Sequence, residues 1–417
     1  MSKFLVRGGY VLTLGARTSN FAEADVLIDG DRIVEVGSGL RARDAELVDG
    51  SNSIVMPGFV DTHRHVLESL FRNLGDPQQG DTMSDYSPEH IYAATLIGLL
   101  GATEAGITTV VDWLGHVEGD DQVEAALQAH TDSGLRTVLA VGSDSEAVLR
   151  RSVGRLEGDR TTISYGSPTP GESTNDRWAV ARQLGLRIHA HAGTDPGGSS
   201  LGEAALGPDV TLIHCTHLDD RSLDAVASAG AQISLTPSSE MAGGLGSPPI
   251  QRIIDRKSRP GLGVDNERLA PGDIFAQMRA IISVQHATYF DLKLAGKAGL
   301  PNLLTTREVI RFGTIDGANA VGLGAVTGSL EPGKQADLVL LRTDRPNIVP
   351  VNDPIGAVVW GMDTSNVDWV FVAGQPVMRA GALTADVARA RDLAVRAQAR
   401  IADAAGRLTT ASTTESR

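Results

Sequence analysis

Apolar positions change their spacing three times along the chain. Over residues 1–56 they form short β-branched runs, "FLVRGGYVLTL", "ADVLIDGDRIVEVG" and "AELVDGSNSIV", cut by Gly and Asp-Gly turns. This predicts strands joined by tight turns. The same texture returns in "ADLVLLRT" (336–343) and "VDWVFVAGQPVM" (367–378), so both ends of the chain are expected to build one small β-domain. Between them, strand-like runs at 55–62, 107–112, 136–142, 161–165, 186–191, 210–216, 231–236 and 260–265 alternate with helical patterns. "SPEHIYAATLIGLLGATEAG" is one such helix, with Ser87 as cap, Pro88 in the first turn and Gly106 past the end.

Eight strand–helix repeats in this span predict an α/β fold of the (β/α)8 TIM-barrel type. An open doubly wound sheet is the competing architecture, but no glycine-rich phosphate loop follows the first strand. The expected organisation is a β-sandwich part at 1–56, a barrel at 57–335, and a second β-sandwich part with a C-terminal helix at 336–417. In that last helix Val387, Ala390, Ala394, Ala397 and Ile401 share one stripe, a packing face.

Charge and cysteine content narrow the possible partners. A net charge of -14 argues against nucleic acid and anionic membranes, which demand a basic surface. The longest mostly apolar run, Ile91 to Ala102, is too short to span a bilayer. The opening segment lacks the apolar core and cleavage site of a signal peptide. Cys215 is the single cysteine, which rules out an intrachain disulfide and agrees with a cytoplasmic location.

The candidate chemistry lies in the histidines. "VDTHRHV" (60–66) sets His63 and His65 on one face of a strand and Arg64 on the other. With ten histidines in 417 residues, an H-x-H arises by chance in roughly one such chain in four, so the motif alone is weak. Yet His189 and His191 end strand 5, His214 ends strand 6 in "LIHCTHL", and Asp265 ends strand 8 in "GLGVDNE". A barrel of this kind carries its functional residues at these strand ends. Imidazoles with one carboxylate suit a borderline divalent ion that keeps a position for water.

Together "VMPGFVDTHRH", "RIHAHAG", "LIHCTHL", "GLGVDNE" and "GTIDGANAVGLGAVTGSLEPGKQADLVLL" resemble the amidohydrolase superfamily over nearly the whole chain. The likeness is to its mononuclear branch of cytosine deaminase, guanine deaminase and triazine chlorohydrolase-like enzymes. It implies that His63, His65, His191 and Asp265 hold one divalent metal, zinc first, with iron or manganese as alternatives. It gives His214 the reactive water or substrate oxygen, and it implies a homodimer. His189 lies deeper on its strand, which fits a supporting or packing role, and Cys215 reads as a small buried residue. Binuclear relatives bridge two metals with a carboxylated lysine on strand 4. No lysine occurs between Lys3 and Lys257, so a single ion is expected.

The chain departs from the resemblance at one catalytic position. The deaminases carry Glu three residues after the fifth-strand histidine, where this chain has Thr194. A hydroxyl cannot serve as a general base at neutral pH, which places Asp265, His214 and Glu240 as the candidate proton carriers. Glu203 and Asp112 are weaker candidates. Arg64, facing away from the metal, is expected to form an ion pair that orients its strand. Phe71, Tyr86, Thr194 and Met241 are expected to line the substrate pocket, with the loop "LESLFRNLGDPQQGDTMSDY" as one wall.

The expected function is metal-dependent hydrolysis of a non-peptide C–N bond in a small aromatic or heterocyclic substrate. The alternative is an amidohydrolase-like cyclase that closes a benzoxazole-type ring in actinobacterial natural-product biosynthesis. Deamination ranks lower because of Thr194, and a non-catalytic scaffold lower still because the ligand set is intact.

Overall fold

The computed structural model describes residues 2–16, 20–73, 86–116, 119–142, 146–153, 160–167, 169–171, 174–198 and 200–404. The N-terminal runs form β1 (Lys3–Val11), β2 (Phe21–Asp29), β3 (Arg32–Gly37), β4 (Glu46–Asp49) and β5 (Ser53–Pro57). Eight further strands follow: β6 (Phe59–Arg64), β7 (Ile107–His116), β8 (Arg136–Gly142), β9 (Thr161–Ser167), β10 (Arg187–Ala192), β11 (Val210–His214), β12 (Gln232–Leu235) and β13 (Gly261–Leu262). The chain then adds β14 (Leu338–Arg342), β15 (Val367–Val372), β16 (Gln375–Arg379) and β17 (Ala382–Leu383).

β6 to β13 pair in sequence order, all in parallel, and form the barrel. It closes where β13 returns to β6, through the parallel bridge between Arg64 and Asp265. There His65 N–H donates to the Asp265 carbonyl at 2.7 Å, and Asp265 N–H donates to the His63 carbonyl at 2.8 Å. The seam thus ties the last strand directly to the H-x-H segment. Gly263 makes this approach possible, since a Cβ there would lie 2.7 Å from the His63 carbonyl.

The two termini build a nine-stranded sheet in the order β17-β16-β15-β14-β5-β1-β2-β3, with β4 beside β1. The join is the antiparallel β5–β14 ladder from Leu338↔Pro57 to Arg342↔Ser53. Its own core includes Phe4, Val6, Val26, Ile28, Leu338, Leu340 and Phe371.

One expected strand is two. The run 55–62 ends as β5 at Pro57 and restarts as β6 at Phe59, so the same apolar stretch serves the terminal sheet and then the barrel. Gly58 makes the break, because a Cβ there would sit 2.1 Å from Thr108 Cγ2. The eighth strand pairs only over Gly261–Leu262, and its functional end reaches Asp265 as a single bridge.

The helix Pro88–Glu104 has Ser87 as its N-cap and a capping box closed by the His90 ring. That accounts for His90 without any catalytic role. In the helix Val387–Ala404 the residues Ala390, Ala394, Ala397 and Ile401 are buried, whereas Val387 at its start is exposed. Among the described residues no helix is long and apolar enough to cross a membrane.

Candidate metal centre

Five side chains from four barrel strands meet at the rim formed by the strand C-termini. His63 Nε2 lies 3.3 Å from Asp265 Oδ1 and 3.2 Å from His191 Nε2. His65 Nε2 lies 3.4 Å from the same Asp265 oxygen. The ligand atoms of His63, His65 and His191 fall within 4.8 Å of one another, as do those of His63, His214 and Asp265. His214 stacks on His191 with ring centroids 5.3 Å apart.

Electrostatics favour coordinating forms. Burial lowers the His63 imidazole to about 4 and pushes His191 well below its ordinary value, so both rings are neutral at pH 7 and offer lone pairs. Burial alone would raise the Asp265 carboxyl, but the His63 hydrogen bond and the fields of His214, His65 and His63 hold it well below the usual carboxylate range. Neutral nitrogens 3.2 Å apart can share only one proton, whereas a cation among them would meet several lone pairs at once. The donor set of imidazoles and one carboxylate fits a divalent metal.

Backbone conformation helps to aim these groups. His214, Cys215 and Asp265 have φ of 72°, 59° and 65°, left-handed values that non-glycine residues adopt at a cost. Cys215 is fully buried, and burial pushes its thiol upward, as fits an inert packing residue.

Glu240 stands behind His214. It is fully buried just after β12, with Oε1 3.3 Å from His214 Nδ1 and accepting the Thr236 N–H at 2.8 Å. Burial opposes charge on His214, but the Glu240 hydrogen bond and the fields of Asp265 and Glu240 raise its pKa above the ordinary value. The geometry sets Glu240 against the Nδ1 side of His214, away from the ring nitrogen that faces the other ligand candidates.

Arg64 lies on the opposite face and is fully buried. Its Nε donates to Asp61 at 2.7 Å, and its Nη2 donates to the Gly272 carbonyl at 2.7 Å. Asp61 also accepts the Val264 N–H at 3.0 Å, so one carboxylate ties strand 1 to the residue before Asp265. Glu267 continues the network, pairing with Arg72 at 3.0 Å and with the Ser69 hydroxyl. Asp112 is buried against His130 at 2.8 Å and accepts the Val66 N–H at 3.3 Å, which holds the turn after His65. That placement removes it from the proton carriers. Glu203 is exposed, and its backbone carbonyl accepts from Asn175.

The expected pocket residues are less concentrated. Thr194 is half-buried three residues beyond His191. Met241 follows Glu240 and is exposed. Phe71 is partly buried against the main core. Tyr86 packs beside His90, and its carbonyl accepts from Gln122, which places it between the first turns of two helices. Residues 74–85 of the expected loop wall lie outside the described residues.

Trp113 was not anticipated. It sits at the C-terminal end of β7 with its ring 4.4 Å from His191, 5.8 Å from His63 and 6.3 Å from His65. The available signal was its position, two residues after Val111 on the inward face of a strand whose end faces the histidines.

Comparison with known proteins identifies the family and the fold. Residues 54–377 match the amidohydrolase family. The chain is 28% identical to the 5′-deoxyadenosine deaminase of Methanothermobacter thermautotrophicus, over 91% of this chain and 94% of that protein. It is 27% identical to the 5-methylthioadenosine/S-adenosylhomocysteine deaminase of Pelotomaculum thermopropionicum, over 91% and 94% of the two chains. A zinc-bound adenosine deaminase from Xanthomonas campestris superposes with a TM-score of 0.83 at 19% identity, covering 96% of this chain and 99% of that one. Atrazine chlorohydrolase from Arthrobacter aurescens, complexed with zinc, gives 0.84 at 21% identity, covering 95% and 100%. Nothing in these relatives supports the cyclase reading or its place in natural-product biosynthesis, and both are set aside.

Proposed function

The chain belongs to the amidohydrolase family, and from that premise we propose that it hydrolyses the exocyclic C–N bond of an amino-substituted nitrogen heterocycle, with zinc as its single divalent ion. The observation that carries this reading is the convergence of three imidazoles and one carboxylate at one barrel rim. The purine-nucleoside deaminases named above support the substrate class.

When bound by His63, His65, His191 and Asp265, the ion supplies Lewis acidity and makes water acidic enough to react near neutral pH. The chain's own groups then manage the proton. Water adds its oxygen to the ring carbon that carries the amine. Asp265, ionised at neutral pH, accepts the proton that the water loses. His214, held by Glu240 through Nδ1, turns Nε2 toward the site and hydrogen-bonds the incoming oxygen, while the displaced electron pair moves onto the adjacent ring nitrogen. Asp265 passes its proton to that ring nitrogen, the hydroxyl proton passes to the leaving amine, the C–N bond breaks, and ammonia departs while the oxygen stays on the ring as an oxo group. This assignment returns deamination to first place although Thr194 replaces the usual glutamate, because Asp265 and the Glu240–His214 pair cover the same proton traffic.

The test is a panel of adenosine, 5′-deoxyadenosine, 5-methylthioadenosine and aminotriazines with zinc-loaded enzyme, read by ammonia release and mass spectrometry of the oxo product. The expected result is stoichiometric ammonia and oxo product from at least one member. Full zinc occupancy with no ammonia from any of them would refute the proposal.

A further inference from the structure

Trp113 belongs to the inner face of the barrel. It shares a cluster with Val60, Val111, Val138, Ala140 and Ile213, small and branched residues that plug the barrel interior. Trp113 is the one large aromatic of that cluster, and it lies at the end nearest the histidines. The plug therefore ends in an indole immediately beside the metal site.

The indole nitrogen distinguishes Trp113 from an ordinary packing residue. A buried tryptophan N–H normally finds an acceptor, because an unpaired donor forfeits its bond to water. Trp178, fully buried, does so by donating to the Ser167 hydroxyl at 2.7 Å. Trp113 is 8% exposed, and among the described residues its N–H has no acceptor. A donor left open, 4.4 Å in ring spacing from a metal-site histidine, is placed to meet a ligand.

We propose that Trp113 is a specificity-determining residue, whose ring packs beside the substrate heterocycle and whose N–H donates to an acceptor on its edge. This rests on the function proposed above and sharpens its substrate class. The preferred molecules carry a ring nitrogen or carbonyl near the scissile C–N bond, and planar rings without that acceptor are disfavoured. No bond is made or broken by Trp113 itself.

Trp113→Phe keeps the apolar face and removes the donor. Binding is read on zinc-loaded protein by the quench of tryptophan emission, taking wild type minus W113F to isolate Trp113 from the other three tryptophans. The probes are 5′-deoxyadenosine and its 1-deaza, 3-deaza and 7-deaza analogues, with ammonia release followed in parallel. The expected result is a Trp113-dependent quench by 5′-deoxyadenosine, and one deaza analogue that binds wild type about three- to tenfold more weakly while W113F no longer discriminates it. KM should rise in W113F by a similar factor with kcat little changed and zinc content unaltered. An absent quench, or a W113F loss that is equal for all four molecules, overturns this proposal even if ammonia is released. A quench with the analogue pattern but no ammonia overturns the proposed reaction and leaves Trp113's role standing. Zinc lost from W113F would mark the residue as a support for His191 and also overturn the proposal.

Discussion

The chain uses the H-x-H spacing twice, and the two copies have different fates. At strand 1, His63 and His65 both reach the candidate metal centre, within 3.3 and 3.4 Å of the same Asp265 oxygen. At strand 5, only His191 does. His189 is fully buried one layer below, and neither ring nitrogen has a partner among the described residues. Strand alternation puts both members of each pair on one face, so the difference is depth.

Local pairing explains the depth. Between β6 and β7 the register slips, because Asp61 to Arg64 advances three residues while Val110 to Asp112 advances two. His65 then lies beyond the strand, as the N-cap of a short 3-10 helix that begins at Val66. β10 runs against β11 without a slip from Ile188↔Val210 to Ala192↔His214. His189 therefore stays about 6–7 Å deeper than His191, two strand residues down. Spacing selects a face, and only an irregularity at the strand end brings two successive residues to one ion.

The largest test of this contrast removes one histidine from each copy. His63→Ala or His191→Ala should abolish stoichiometric zinc by elemental analysis and take activity below detection. His189→Leu should keep full zinc and hold kcat/KM within about threefold, the level of a residue outside the site. Zinc loss in the His189 variant would erase the distinction.

Asp265→Asn comes next. As both ligand and proton acceptor, it should cost roughly 10²- to 10⁴-fold in kcat. Near-normal turnover with zinc retained would remove its catalytic role.

Glu240→Gln keeps the volume and weakens the hold on His214 Nδ1. A loss of about 10- to 100-fold in kcat with KM and zinc unchanged is expected, the scale of a group supporting a site histidine. An unchanged kcat would reduce Glu240 to packing.

Acidification sharpens the comparison because His63, His189 and His191 are all depressed by burial, His63 to about 4 and His189 to about 3. Between the unperturbed value of 6.5 and these values the unfolded chain binds more protons than the folded one. Stability of the zinc-free protein therefore falls as pH drops from about 6.5 toward 4. Thermal unfolding across that range should show a falling midpoint, and His189→Leu should reduce the slope. An identical slope in the variant would mean that His189 is not held neutral.

The smallest effect is on stability at neutral pH. His189→Leu removes two unpaired polar atoms at similar volume and should stabilise by about 1 kcal/mol, measured by denaturant unfolding. A loss of stability would show that His189 has a bonding partner, such as an internal water.

Much of this protein was legible before any coordinates. The eight barrel runs, the helix Pro88–Glu104 with its Ser87 cap, and the strand ends carrying His63, His191, His214 and Asp265 follow from period-two and period-3.6 patterning with turn chemistry. These are short-range properties, set by which residues alternate and where Gly and Pro interrupt. The break at Gly58 was written locally too, as a Pro-Gly pair, but its meaning depended on Thr108 lying against it.

What depended on the assembled barrel was everything decided by depth and by partners distant in the chain. Asp61 gathers Arg64 and the Val264 N–H, 203 residues apart from it along the chain in the second case. Glu240 acquires its role only because His214 turns its Nδ1 inward, and Trp113 because its strand end faces His191. Neighbour patterns determine the face a side chain occupies, through backbone geometry that every strand shares. Which layer that side chain reaches, and what it meets there, is set by register and closure, long-range contacts that no local pattern encodes.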